Sequence, residues 1–176
     1  FNGNYVTETT LIKALAFGGK EKTYQSWNGL EDPEKLKNDR TFNSAGMYFD
    51  QNGNMKFYDD ETDNYWQNHF QLHWSEKWSE KWISNAALHY TIGKGYFEQY
   101  REDEALADYF LPNFEGNTES DLVRKRWLDS DFFGTTFSLN YKTKNTDVLL
   151  GGAANRHFGK HFGEVVWTQY YVPNGN

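Results

Sequence analysis

From Asn64 the chain alternates aromatic and polar residues: the even positions read Asn64, Trp66, Asn68, Phe70, Leu72 and Trp74, and the odd positions read Tyr65, Gln67, His69, Gln71, His73 and Ser75. After a turn around Glu76–Lys81 the even positions are again mostly apolar, at Trp82, Ala86, Leu88, Tyr90 and Ile92. A second copy starts at Asp131, where Phe133, Phe137, Leu139 and Tyr141 stand against Phe132, Gly134, Thr136, Ser138, Asn140 and Lys142. Successive side chains of a β-strand point to opposite faces, so each strand has one greasy and one wet face. A wet face of glutamine, histidine and asparagine suits a water-lined lumen, the pattern of an outer-membrane barrel wall.

The expected fold is therefore all-β: an antiparallel up-and-down meander from a transmembrane β-barrel, with long loops carrying short helices. Residues 1–176 are read as a single partial barrel segment of a larger receptor, with about five long strands. The first candidate strand is Thr9–Tyr24, apolar on both faces and interrupted at Gly18-Gly19. One hairpin pairs Asn64–Trp78 with Trp82–Glu98. Another pairs Ser130–Lys142 with Asp147–Trp167, whose Gly151-Gly152 has little side-chain bulk. Two long segments separate the strands. In the first, 25–63, a small hairpin is expected across Asp50–Asn54, with turn signals at Asn28-Gly29 and Asp32-Pro33. In the second, helices are expected at Glu102–Phe110 and Ser120–Leu128, with Ser120 and Asp121 as caps.

Aromatic residues make up 19% of the chain, which favours strands and membrane interfaces. The mean hydropathy of -0.90 does not exclude a membrane barrel, because half of each barrel strand is polar. No run approaches the ~20 apolar residues of a spanning helix. A net charge of -7 argues against a nucleic-acid surface, and Arg124-Lys125-Arg126 reads as a solvated loop face. Cysteine is absent, which excludes disulfides and thiolate metal sites. The start at Phe1, without Met or signal peptide, implies a mature or truncated product.

Several strings resemble TonB-dependent outer-membrane receptors of the Bacteroidetes type. They are Phe17–Gly29, Phe57–Tyr65, Leu88–Tyr100 and His161–Trp167, in similar order across nearly the whole chain. The match corresponds to a middle section of the barrel, with plug and remaining strands outside it. What the resemblance implies is a barrel of about 22 strands with a plugged lumen. It implies import of a scarce nutrient such as a ferric siderophore or similar iron complex, energised by the TonB complex. Outer-membrane lipid and the nutrient are the implied partners. No covalent chemistry and no cofactor are implied.

His69/His73 and His157/His161 have the four-residue spacing that chelates a metal on a helix. On a strand such pairs face the same way but lie ~13 Å apart, so no metal site is expected. No catalytic motif is present, and no enzyme is expected. Gln67, His69, Gln71, His73, Asn85 and His89 are assigned to the lumen face. Loop aromatics are read first as packing the loops together. Their functional reading is a stacking surface for a nutrient, with Trp27, Tyr58, Tyr96, Tyr100, His157 and His161 as ligand contacts. Trp66, Trp74, Trp78 and Trp82 would anchor the membrane edges. The alternative is a soluble lipocalin-like β-barrel module that turns the apolar face inward around a small ligand. An isolated section could also self-associate through its unpaired edges.

Overall fold

The structure is a computed structural model that describes residues 1–24, 28–30 and 32–170. It is an all-β protein. Strands β1 (Asn2–Val6), β2 (Thr10–Tyr24), β5 (Thr62–Lys77), β6 (Trp82–Ala105), β7 (Glu119–Lys142) and β8 (Asp147–Thr168) form one six-stranded sheet in the order β1-β2-β5-β6-β7-β8. Each long strand follows its sequence predecessor in the sheet, which is the up-and-down order expected. Strands β3 (Met47–Phe49) and β4 (Met55–Phe57) form the small hairpin, with Met47 opposite Phe57. Among the described residues there are also two short helices, α1 (Pro33–Asn38) and a 3-10 turn (Leu106–Tyr109).

Two compact units divide the chain. The first comprises residues 1–20, 66–94 and 128–160, and the second comprises 21–65, 95–127 and 161–176. The first unit holds three tight turns. At residues 7–10 the Thr7 amide donates to the Thr10 carbonyl at 2.8 Å, and the Thr7 hydroxyl accepts from the Thr10 amide at 2.9 Å. At 78–82 the Trp78 amide donates to the Trp82 carbonyl at 3.0 Å, and at 143–146 the Thr143 amide donates to the Thr146 carbonyl at 2.7 Å. The second unit holds the long connections and the buried apolar residues Ala45, Leu106, Leu122 and Val123.

Pairing settles the sidedness of β2, which alternation left open. Tyr5 pairs with Ile12 and Val6 with Leu11, while Phe17 stacks on His69 with centroids 4.7 Å apart. The odd residues Leu11, Lys13, Leu15 and Phe17 therefore share the histidine face, and the smaller Ala14 and Ala16 share the opposite one. Gly18-Gly19 does not interrupt the strand. Gly18 lies against Asn68 and the Gln67 carbonyl on β5, leaving no room for a Cβ, so the glycine permits close approach of two strands.

Residues 120–128 are strand, not helix. Both expected cap residues bond across the sheet instead. The Ser120 hydroxyl accepts from the Gln169 amide at 3.2 Å, and the Asp121 carboxylate accepts from the Tyr100 hydroxyl at 2.6 Å. The helix expected at Glu102–Phe110 shrinks to the 3-10 turn, because β6 runs on to Ala105. Conversely, Asp32-Pro33 is a helix start rather than a plain turn: the Asp32 carboxylate accepts from the Glu34 amide at 2.8 Å and Pro33 opens α1.

Candidate functional site

In the first unit the two faces of the sheet differ in chemistry. One face carries a row of rings on four adjacent strands. Phe70, Tyr90, Phe133 and Phe158 follow one another with centroids 6.4, 6.4 and 6.0 Å apart. Around them Leu72 and Leu88 are 44% and 55% exposed, and Phe137 is 55% exposed. Among the described residues of the first unit, these side chains stay exposed. Toward the tight turns it ends in a cluster of larger rings: Trp74 meets Trp78 edge-on at 6.1 Å, and Trp82 packs on Tyr141 at 4.6 Å. The Trp78 indole N–H donates to the Ser84 hydroxyl at 2.7 Å. Trp66 shares this face at the other end of the unit's β5 segment. There the polar pairs begin: the Tyr90 hydroxyl donates to Asp131 at 2.6 Å, and Lys94 meets Asp129 at 3.4 Å.

The opposite face carries the residues assigned to the lumen. His69 Nδ1 lies 2.9 Å from the Thr91 hydroxyl, His73 Nε2 lies 3.1 Å from Gln71 Oε1, and Asn85 donates to Ser138 at 3.1 Å. His89 Nε2 reaches Asn155 Oδ1 at 2.9 Å, two strands away. Gly134 on the intervening β7 makes this reach possible, since a Cβ there would lie 2.9 Å from His89 Nε2. Phe132 sits between His89 at 4.9 Å and His157 at 6.5 Å. Gln67, His69, Gln71, His73, Asn85 and His89 thus occupy one face, together with His157. On the ring face, a depression of about 450 Å³ forms where Ala154 replaces bulk between Leu88, Phe133 and Arg156.

In the second unit, alternate residues of β6 line a polar aromatic cluster. Tyr100 contacts Tyr48 at 4.7 Å, Tyr58 at 6.0 Å and Trp167 at 6.4 Å. The Tyr58 hydroxyl donates to Glu98 at 2.6 Å, and Glu98 also faces Lys125 at 3.7 Å. Tyr96 packs on Trp127 at 4.6 Å, with the Lys125 ammonium 4.5 Å over its ring. Trp127 continues the row by stacking on Phe162 at 5.9 Å, and its indole N–H donates to Glu164 at 2.9 Å. Burial first, then the bond to a carboxylate, pushes the Tyr58 and Tyr100 phenols well above their ordinary range. They remain protonated donors.

Glu61 is buried and accepts from the Tyr100 amide at 2.9 Å; burial raises its pKa despite that bond. Beside it runs a chain of charge-assisted bonds. Arg101 donates to Glu104 at 2.6 Å, Tyr109 donates to Glu104 at 2.6 Å, and Arg124 donates to the Tyr109 oxygen at 2.6 Å and to Gln99 at 3.0 Å.

The structure thus brings Tyr58 and Tyr100 together and links Tyr96 to them through Lys125 and Glu98. It does not bring His157 or His161 to them: His157 lies in the first unit against Phe132, and His161 is an exposed residue of β8. Trp27 lies outside the described residues. The alternation Tyr96-Glu98-Tyr100 was a visible signal for a shared face, whereas the partners Glu61, Asp121 and Lys125 depend on pairings that no local pattern encodes. The hydroxyls of Tyr58 and Tyr100 are engaged by carboxylates, so the cluster fastens the β3–β4 hairpin to β6. Among the described residues no group of three or more His, Asp or Glu is arranged to hold a metal ion.

Comparison of the chain with protein-family models, with curated proteins and with solved structures gave no match.

Proposed function

We propose that this chain is part of the wall of a TonB-dependent receptor-type barrel in the bacterial outer membrane, serving uptake of an iron complex or a similar scarce nutrient. One observation carries the barrel-wall reading: the row Phe70–Tyr90–Phe133–Phe158 is an uncovered apolar face bounded by aromatic residues on one side and polar pairs on the other. Uncovered apolar surface on this scale needs a partner, and lipid is the partner that fits a sheet face with an aromatic rim. The dimensions agree. Ten residues separate Trp82 from Ile92 on β6, ~33 Å along the strand and ~25 Å across a bilayer at a ~40° tilt, the height of a barrel's apolar band. Three tight turns and two long connections alternate along the chain, as in such barrels. A soluble calyx would instead need Leu72, Leu88 and Phe137 enclosed.

The nutrient class and the dependence on TonB rest on the family strings alone. Deleting the gene that encodes this chain should abolish energised uptake of one ferric complex, with uptake restored by the intact gene but not in a TonB-deficient strain. Unchanged uptake across a panel of iron complexes, with the protein outside the outer-membrane fraction, would overturn the proposal.

A further inference from the structure

An arginine stands on the ring face of the first unit. Phe158 of β8 belongs to the row of rings, so Arg156 and Ala154, two and four residues before it, point the same way. The Arg156 guanidinium lies 4.3 Å over the Phe158 ring. The turn at 143–146 and the approach of Gly134 to Asn155 set Phe133 opposite Arg156. On the other side of β7, the bond from the Lys142 amide to the Lys81 carbonyl sets Tyr90 opposite Phe133. Arg156 is therefore level with Tyr90 of β6, four residues short of Lys94, whose pair with Asp129 borders the apolar band. Four residues are ~13 Å along a strand, or ~10 Å of depth at a ~40° tilt.

A guanidinium at that depth on a lipid-facing surface is costly without a counter-charge. Among the described residues Arg156 forms no ion pair, and neither does Lys160, the next cation on the same face of β8. The carboxylates of neighbouring β7 are engaged elsewhere: Asp131 accepts from the Tyr90 hydroxyl at 2.6 Å, and Asp129 faces Lys94 at 3.4 Å. Beside Arg156 the depression of about 450 Å³ opens between Leu88, Phe133 and Ala154. A cation at the rim of an apolar hollow fits a molecule with an anionic head and a hydrocarbon tail.

We propose that Arg156 and Lys160 hold the phosphate of an anionic phospholipid whose acyl chain lies in the Leu88–Phe133–Ala154 depression. The planar guanidinium can pair two N–H groups with two phosphate oxygens. The Arg156 and Lys160 backbones are ~13 Å apart along β8, and long stems lying on apolar surface close that gap. Arg156 already leans toward Lys160, because its head lies over Phe158, the residue midway between them. An acidic protein segment would answer the charges but leave the hollow empty. The inference rests on the barrel-wall reading, which puts hydrocarbon against this face.

The test is native mass spectrometry of the whole chain released from non-ionic detergent, with phosphatidylglycerol and phosphatidylcholine supplied in equal amounts. One phosphatidylglycerol should be retained about tenfold more than phosphatidylcholine, whose headgroup carries its own cation. That preference runs against the net charge of -7, so overall attraction does not produce it. Arg156→Gln, which takes a charge off an apolar face and leaves folding intact, should bring the two lipids level. Lys160→Gln should cut the preference about threefold. Lys144→Gln removes one charge in the tight turn and should change nothing. A preference that survives Arg156→Gln, or that Lys144→Gln lowers as much, would overturn the proposal. So would displacement of the lipid by an equimolar amount of inorganic phosphate, since that marks a small-anion site. Equal retention of both lipids by the unaltered chain would overturn this site and leave the barrel wall standing, whereas retention of neither would overturn both.

Discussion

At the scale of residues, glycines and buried carboxylates carry the sharpest consequences. Gly134 leaves the gap through which His89 reaches Asn155. Gly134→Ala would push a methyl against the imidazole and the Ala154 carbonyl and should cost about 1–3 kcal/mol, the usual penalty of overpacking. Gly19→Ala meets nothing within 4 Å and should change stability by less than about 0.5 kcal/mol. Urea unfolding of the two variants in lipid vesicles makes the comparison; equal losses would contradict the close approach at Gly134. Glu61 gives a signed pH effect. Burial raises its carboxyl above the ordinary 4.5, so the folded state holds the proton more tightly than the unfolded chain. Its contribution favours folding below that value and is lost as the pH rises through the raised one. Glu61→Gln keeps an acceptor for the Tyr100 amide and removes the charge. The variant should lose that part of the pH dependence just above 4.5 and resist urea better at neutral pH, and a steeper slope in the variant would contradict this.

At the scale of elements, alternation decides which face each side chain joins. Leu72 and Gln71 are neighbours on β5 with opposite surroundings. Leu72→Arg should cost about 2–4 kcal/mol of folding stability in a bilayer, as for charges on the lipid face near the midplane, while Gln71→Arg should cost less than about 1 kcal/mol. Measured in the same vesicles, the reverse order would show the register to be wrong. The long hairpins were legible in the sequence because one face of each is mostly apolar over several turns of the alternation. The strand at 120–128 was not. Its Leu122, Val123 and Leu128 fit either period, and Ser120 and Asp121 look like caps until Tyr100 and Gln169 are known to bond them. That Gln67, His69, Gln71, His73, Asn85 and His89 share one face was legible for the same reason as the hairpins. The Tyr58–Glu98–Lys125 contacts were not, because they join segments 40 and 27 residues apart whose pairing no local pattern specifies.

At the scale of the whole molecule, the central claim is that hydrocarbon touches the Phe70–Leu72–Leu88–Phe137 surface and water the histidine surface. The chain has no cysteine, so single nitroxide labels can be placed without background. The most direct measurement is electron paramagnetic resonance of labels at Leu72, Gln71, Leu88 and His89 in lipid vesicles. Accessibility would be compared between oxygen, which partitions into hydrocarbon, and a water-soluble nickel chelate. The account predicts oxygen-dominated relaxation at Leu72 and Leu88 and nickel-dominated relaxation at Gln71 and His89. Nickel access at Leu72 and Leu88, or no access by either reagent as in an enclosed protein interior, would contradict it.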